Sequence, residues 1–160
     1  MHFEDVDLDE LAQQHGARLR RAAGLEVRGR VDPVRVRGDR HRLDQVIRNL
    51  VDNAERHARR HVDISAFADG AYAVVEVADD GPGIPTADRE RVFHRFVRLD
   101  EHRSAIQGGS GLGLAIVAEV VAAHGGTVSV AESAYGGARL QIRLPLGSGD
   151  RPAPPTGPQR

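Results

Sequence analysis

Apolar residues recur with the 3.6-residue period of an amphipathic helix in three segments of the chain. This spacing predicts helices over about 8–23, 39–59 and 112–124. The second segment has the clearest period, with apolar residues at Leu43, Val46, Ile47, Leu50 and Ala54. Asp7 and Glu10, at the start of the first segment, are spaced as in a capping box, which predicts the N-terminus of that helix.

Alternating apolar residues predict strands between and after these helices. Runs over about 62–68 and 72–78 are joined by Asp69-Gly70, a pair that is typical of a hairpin turn. Further extended pieces are expected over about 27–36, 127–133 and 138–144. The pattern therefore predicts a domain that contains both helices and a sheet.

Two segments have no sustained pattern. Residues 87–92 can form one or two helical turns, but 94–110 is irregular, and a loop of that length in a compact domain is usually functional or disordered. Segment 147–160 holds four of the eight prolines and has no apolar side chain larger than alanine or proline. We therefore expect 147–160 to be a disordered tail behind a single domain formed by 1–146.

Charge balance and two missing residue types narrow the chemistry. The 22 basic and 23 acidic residues give a net charge of -1, so no bulk positive field favours nucleic acid. All the basic residues are arginine, which excludes a P-loop lysine and Schiff-base chemistry. The absence of cysteine excludes thiolate nucleophiles, disulfides and cysteine-ligated zinc. No apolar stretch reaches the length of a membrane span, so the chain as given is expected to be soluble.

Three polar residues of the second predicted helix are candidates for a site. At about 100° per residue, Asn49, Asn53 and Arg56 fall within about 60° of one another, on one border of the apolar stripe. Asparagine is a poor helix former, so two of them at a half-buried edge indicate a site. On spacing alone, an ordinary polar flank explains them equally well.

Asp79 directly follows a predicted strand and is followed by the glycine-rich segment 80–84. With a period of two, Asp79 shares a face with Val75 and Val77 and is expected to point inward. A carboxylate in an apolar pocket needs a hydrogen-bond donor, and the exocyclic amine of a base can supply one. In isolation, a plain Asp-Gly turn is the commoner explanation.

Glycines 108, 109, 111 and 113 precede and open the third predicted helix. Backbone amides and the positive end of a helix dipole converge there, an arrangement that binds phosphate without lysine. The segment follows a loop rather than a strand, so it is not a dinucleotide-binding fingerprint. A flexible linker is the alternative explanation.

Five short motifs occur in order: Asn49-Leu-Val-Asp-Asn53-Ala54, Asp79-Asp-Gly81-Pro-Gly83-Ile84, Phe93-His-Arg-Phe96, Gly109-Ser-Gly111-Leu-Gly113-Leu114 and Gly136-Gly137. In that order they resemble the asparagine box, the first glycine box, the phenylalanine box and the second and third glycine boxes of sensor histidine kinases. The resemblance is to the catalytic, ATP-binding domain of those kinases and covers about residues 5–146.

The resemblance implies an α+β two-layer sandwich of the Bergerat type. In that fold a mixed, largely antiparallel sheet is covered on one face by three helices. ATP lies between the second helix and a mobile lid, which here corresponds to about 94–110.

The same resemblance implies roles for individual residues. Asn53 is expected to coordinate Mg²⁺, Asn49 and Arg56 to lie beside the phosphates, and Asp79 to accept a hydrogen bond from the adenine amine. The implied catalytic residues are Asn49, Arg56, Arg98 and Arg103, the last two in the lid and facing the γ-phosphate. Further nucleotide-binding residues are implied at His57, Gly81, Gly83, Ile84, Gly109, Gly111, Leu112, Gly113 and Leu114.

Two pairs of residues depart from the family pattern. Arg56-His57 stands where lysine followed by an aromatic residue is usual, which keeps the charge but leaves open whether His57 replaces the aromatic contact. Ala138-Arg139 stands where a small hydroxylated residue and an aromatic one are common.

Other members of the same fold keep alternatives open. ATPases of the gyrase, mismatch-repair and chaperone type have a general-base glutamate four residues before the magnesium asparagine, and that position is Asn49 here. Serine kinases of the anti-sigma type are a second alternative, against which Phe93 and Phe96 argue. A nucleotide-binding module without activity is the third.

The resemblance also implies partners outside this chain. None of the eight histidines has the sequence context of the acceptor histidine, so we expect a fragment of a longer kinase. Its expected partners are the kinase's own dimerisation and histidine-phosphotransfer domain and, in the pathway, a response regulator protein. The fragment itself is expected to be monomeric, to bind no nucleic acid, and to form the cytoplasmic part of a membrane-anchored bacterial sensor.

Overall fold

A computed structural model describes residues 1–94 and 113–147. Within these ranges the α-helices are α1 (Leu8–Ala23), α2 (Arg40–His57) and α3 (Gly113–Ala123). The strands are β1 (Glu4–Asp7), β2 (Glu26–Arg28), β3 (Arg35–Gly38), β4 (His61–Asp69), β5 (Tyr72–Asp79), β6 (Thr127–Glu132) and β7 (Ala138–Pro145). Two single-turn 3-10 helices, Thr86–Asp88 and Arg91–Phe93, follow β5.

Five strands form the main sheet in the order β2-β4-β5-β7-β6. The β2–β4 pair is parallel, and the other neighbours are antiparallel. β1 and β3 form a separate antiparallel pair. The expected mixed, largely antiparallel sheet is therefore confirmed.

The helices pack on one face of this sheet. Alternate β4 residues Val62, Ile64 and Ala66 are buried and belong to the same apolar core as the buried side of α2. The intervening β4 residues are half-buried, and polar side chains share that face with them. Gln141 of β7, for example, donates to Glu76 of β5 at 2.6 Å. This two-layer arrangement is the predicted sandwich.

The bounds of α1 agree with the prediction, but the predicted capping box is wrong. Asp7 is the N-cap residue and its side chain makes no capping hydrogen bond. The Asp7 carboxylate instead accepts from Arg35 Nε at 2.8 Å, and Asp9 accepts from the backbone N–H of Val34 at 3.1 Å. These carboxylates therefore fasten the start of α1 to the segment around β3.

Helix α2 begins as predicted and ends two residues early. Asp39 caps it by accepting from the Arg42 backbone N–H at 3.0 Å. After His57 the chain becomes extended at Ala58, and the backbone N–H groups of Arg59 and Arg60 turn to the Asp80 carboxylate. A contact with a distant residue thus sets this end of the helix.

The core packing of α2 predicts a large cost for truncating its central leucine. Leu50 is fully buried between the helices and the sheet, so Leu50→Ala should lower the free energy of unfolding by about 2–5 kcal/mol. Urea unfolding measures this change. Arg48→Ala, on the exposed side of the same helix, is the matched control and should stay within about 0.5 kcal/mol of wild type. Equal effects of the two substitutions would contradict the packing described.

Candidate functional site

Asn49 joins the middle of α2 to the start of α3. Its side-chain Nδ2 donates to the carbonyl oxygen of Gly113 at 3.2 Å, and Gly113 is the first residue of α3. The first backbone N–H groups of a helix have no partner within the helix and attract anions. The Asn49 bond therefore holds an anion-attracting helix end beside the polar flank of α2.

Asn53 lies one turn further along α2 and is only 5% exposed. Its backbone carbonyl accepts from His57 Nδ1 at 2.8 Å, but its side-chain carboxamide has no hydrogen bond within the described residues. Its oxygen is of the donor type that Mg²⁺ takes together with phosphate oxygens and waters. Asn53 therefore fits the metal-binding role that the sequence suggested.

Asp79 ends β5 and points into the interior, as its alternation with Val75 and Val77 predicted; it is 2% exposed. Its Oδ1 accepts two backbone hydrogen bonds, from Gly81 at 2.9 Å and from Ala138 at 3.3 Å. Within the described residues, Oδ2 accepts none. Burial raises the pKa of Asp79 above its ordinary value, although the two backbone donors act in the opposite direction. One oxygen is thus fixed by the fold and the other is available to a ligand.

Asp80 points away from Asp79 and fastens the end of α2. Its carboxylate accepts from the backbone N–H groups of Arg59 at 2.7 Å and Arg60 at 3.1 Å. Burial acts to raise the pKa of Asp80, but the backbone donors of Arg59, His61 and Arg60 outweigh it and lower that pKa. This contact keeps the C-terminal turn of α2, which carries Arg56 and His57, beside the end of β5.

Two glycines of the first glycine box permit this close approach. A Cβ at Gly81 would overlap the carbonyl group of His57, so only glycine lets the end of β5 meet the end of α2. Gly83 has φ +78°, a left-handed conformation that side-chain-bearing residues rarely adopt. Both glycines therefore act through the backbone shape that they allow.

A shallow cleft of about 250 Å³ adjoins this region. It is lined by Pro82, Gly83, Ile84, Pro85, Thr86, Arg89, Glu132, Gly136 and Gly137. Arg89 Nε donates to the carbonyl oxygen of Ile84 at 3.1 Å and so shapes one wall. The cleft runs between the segment after β5 and the turn between β6 and β7, on the side of Gly137.

The structure brings together part of the predicted site. Hydrogen bonds join Asn49 to Gly113 and Asp79 to Gly81, and Asn53 lies one turn beyond Asn49 on α2. Ile84 and Leu114 are half-buried nearby in the chain. Arg56 and His57 are exposed at the end of α2. Arg98, Arg103, Gly109, Gly111 and Leu112, and nearly all of the predicted lid, lie outside the described residues, as does all of the predicted tail except Gly147.

Ser133 contacts the site, but the sequence patterns did not indicate it. The hydroxyl of Ser133, in the turn between β6 and β7, donates to the backbone carbonyl of Asp79 at 2.6 Å. The two residues are 54 positions apart, and neither hydrophobic period nor local turn chemistry connects them. The only local signal is a small hydroxylated residue four positions before Gly137.

None of the helices in the described parts of the chain is both long enough and apolar enough to cross a bilayer.

The chain is similar to known proteins in both sequence and structure. The family model described as histidine kinase-, DNA gyrase B-, and HSP90-like ATPase matches residues 38–148. Sensor protein RstB of Escherichia coli K12 is 44% identical over 108 residues, which cover 68% of this chain and 25% of RstB. Sensor-like histidine kinase SenX3 of Mycobacterium tuberculosis H37Rv is 41% identical over 150 residues, covering 90% of this chain and 37% of SenX3. The chain thus spans about a quarter to somewhat over a third of these relatives.

Solved structures agree with the sequence relatives. The mycobacterial sensor histidine kinase MprB superposes with a TM-score of 0.80 at 34% identity, covering 91% of this chain and 98% of that one. The ATP binding domain of PrrB from Mycobacterium tuberculosis superposes with a TM-score of 0.76 at 31% identity and the same two coverages.

The opposite environments of Asp79 and Asp80 predict opposite effects of removing their charges. Because the folded state holds the Asp79 proton more tightly than the unfolded chain, the contribution of this carboxyl to stability is fully present below its ordinary pKa and is lost as pH rises through the raised pKa. Asp79→Asn should therefore raise the free energy of unfolding at pH 8. That gain should shrink as pH falls towards 4.

Asp80→Asn is the matched control. The pKa of Asp80 is lowered, so its contribution is present above its ordinary pKa and is lost as pH falls through the lowered one. This substitution should lower the free energy of unfolding at pH 8. Urea unfolding at several pH values measures both changes, and destabilisation by Asp79→Asn at pH 8 would contradict the environment described for Asp79.

Proposed function

The chain belongs to the family of histidine kinase-, DNA gyrase B-, and HSP90-like ATPases, and on that premise we propose that it binds Mg-ATP and donates the γ-phosphoryl group to a histidine. The acceptor histidine lies on a separate dimerisation domain of a two-component sensor kinase. Within the full-length protein this domain acts as the cytoplasmic phosphotransferase of a membrane-anchored sensor. A response regulator protein receives the phosphoryl group downstream.

In this proposal Asp79 recognises the base of the nucleotide. Its Oδ2 accepts a hydrogen bond from the exocyclic amine of adenine, while Oδ1 is held by Gly81 and Ala138. Guanine presents a carbonyl oxygen at the corresponding position, so two acceptors would face each other in a nearly dry pocket. This supports a preference for adenine nucleotides.

Asn53 and the start of α3 hold the charged part of the nucleotide. The Asn53 carboxamide supplies one oxygen ligand to Mg²⁺, which neutralises the phosphate charge when it is bound. The helix end that Asn49 holds through Gly113 offers backbone N–H groups to phosphate oxygens. Arg56, at the exposed end of α2, and Arg98 and Arg103 of the lid add positive charge beside the phosphates.

The Asn49–Gly113 hydrogen bond is the observation that best supports a kinase rather than an ATPase. In the related ATPases this position is a glutamate that takes a proton from water. Here it is a neutral carboxamide, which cannot take that proton and which already serves to position α3. General-base assistance is worth about 10²–10⁴ in rate, so without it bound ATP is protected from water until an acceptor arrives.

Recognition of the base by Asp79 predicts that the chain binds adenine nucleotides selectively. In isothermal titration calorimetry with Mg²⁺, the chain should bind ATP at least about tenfold more tightly than GTP. Asp79→Asn should reduce this ratio without unfolding the domain, because Oδ1 of asparagine still accepts from Gly81 and Ala138. Equal affinities of the wild-type chain for ATP and GTP would contradict the assignment of Asp79.

Phosphoryl transfer is predicted to depend on an added acceptor. The chain alone should hydrolyse ATP very slowly and should not label itself from γ-³²P-ATP. With the dimerisation domain that carries the acceptor histidine added as a separate fragment, an acid-labile and base-stable phosphoramidate should appear on that fragment. Asn53→Ala should abolish this labelling because it removes the Mg²⁺ ligand.

Gln45→Ala, on the same helix, is the matched control and should label the fragment normally. Brisk ATP hydrolysis by the isolated chain would favour the ATPase alternative instead. Acid-stable phosphate on its own serine or threonine would favour the serine-kinase alternative.

A further inference from the structure

The turn between β6 and β7 is built around the Ser133 hydroxyl. Ser133 is 5% exposed, and its Oγ lies within hydrogen-bond distance of three backbone groups. It accepts from Tyr135 N–H and Gly137 N–H, each at 3.1 Å, and donates to the Asp79 carbonyl at 2.6 Å. The Ser133 backbone also pairs with Gly137, with N–H donating to the carbonyl at 2.8 Å.

The direction of the Ser133 hydroxyl proton follows from these partners. A serine hydroxyl has one proton to donate and two lone pairs. Tyr135 and Gly137 offer only N–H donors here, so both lone pairs are used. The proton can go only to the Asp79 carbonyl, and the Ser133 hydroxyl is therefore fully satisfied and fixed in orientation.

The Ser133 hydroxyl takes the place of a backbone hydrogen bond that is missing between β5 and β7. The β5–β7 ladder ends at the pair Ala78 and Arg139, so Asp79 and Ala138 would form the next pair. The Ala138 N–H donates instead to the Asp79 side chain, at Oδ1. The Ser133 hydroxyl bonds the Asp79 carbonyl in the same place. Backbone and side chain of Asp79 are thus both held by the turn at residues 133–138.

Gly137 makes this close approach possible. A Cβ at Gly137 would overlap both the carbonyl oxygen and Oδ1 of Asp79. The turn therefore lies directly against the Asp79 carboxylate, and Ser133 fixes where Gly137 and Ala138 sit. Displacing the turn would move Ala138, one of the two donors that hold Oδ1, and leave the carboxylate held by Gly81 alone, with more freedom to rotate.

We propose that Ser133 is a positioning residue for nucleotide specificity, because its hydroxyl holds the turn that orients the Asp79 carboxylate toward the exocyclic amine of the base. This rests on the proposed reading of adenine by Asp79. Ser133 does not touch the nucleotide. It acts by keeping Oδ1 bound, so that Oδ2 is presented in one direction.

Binding of ADP and of inosine diphosphate, measured by calorimetry, tests the proposal. Inosine diphosphate carries a carbonyl oxygen in place of the adenine amine and an N1–H in place of the adenine N1 acceptor, and is identical elsewhere. The ratio of the two affinities therefore reports on recognition of this edge of the base, which the proposal assigns to Asp79. The wild-type chain should prefer ADP at least about tenfold. Ser133→Ala should lower this ratio at least about fivefold through weaker ADP binding, with the affinity for inosine diphosphate within about twofold of wild type.

Conservative and matched variants separate positioning from simple stability. Ser133→Thr keeps the hydroxyl and should retain the wild-type ratio. Ser129→Ala, on the exposed side of β6, should leave both affinities unchanged. If Ser133→Ala does not fold, as judged by circular dichroism, Ser133→Cys takes its place. A thiol is a weaker donor than a hydroxyl, so the ratio should again fall.

Combining the two substitutions tests most directly whether Ser133 affects the ratio of affinities through Asp79. If Ser133 acts through Asp79, Ser133→Ala should change the ratio no further in a chain that already carries Asp79→Asn. Equal loss of both nucleotides, or a ratio unchanged by Ser133→Ala, would overturn the role of Ser133 while leaving Asp79 as the reader of the base. A wild-type chain with no preference for ADP would instead overturn the proposed reading of adenine.

Discussion

A nearly buried carboxylate at the end of β5 is the constraint on which the rest of the site depends. Asp79 is 2% exposed, and a charge in that position is tolerated only when donors surround it. The fold brings those donors from two directions, Gly81 on the adjacent loop and Ala138 on β7. Glycine at 81 and at 137 is required because any side chain there would overlap the atoms that must meet.

Hydrogen bonds from Asp80 and Asn49 fix the helices that form the other side of the site. Asp80 binds the backbone beyond the end of α2, and Asn49 in the middle of α2 binds the first residue of α3. The end of β5, the polar flank of α2 and the start of α3 are therefore one connected unit. The proposed function needs such fixed relative positions for the carboxylate, the amide and the helix end, because phosphoryl transfer relies mainly on positioning and charge neutralisation.

Local patterns predicted much of this fold, and long-range contacts account for what they missed. The body of α1 and the inward direction of Asp79 follow from the period of the apolar residues. β1 was not predicted because only Val6 of its four residues is buried, and a single buried residue gives no alternating pattern. The early end of α2 and the role of Ser133 depend on Asp80 and Asp79, at distances along the chain that no local rule covers. The predicted capping box failed because Asp7 binds Arg35 instead.

A crystal structure of the chain with ADP and Mg²⁺ would test the central assignment most directly. The account predicts the adenine amine within hydrogen-bond distance of Asp79 Oδ2, the metal ion bound to the Asn53 carboxamide oxygen, and the phosphates at the start of α3. Nucleotide seated instead in the cleft beside Arg89 and Glu132, with Asp79 making no contact to the base, would contradict it.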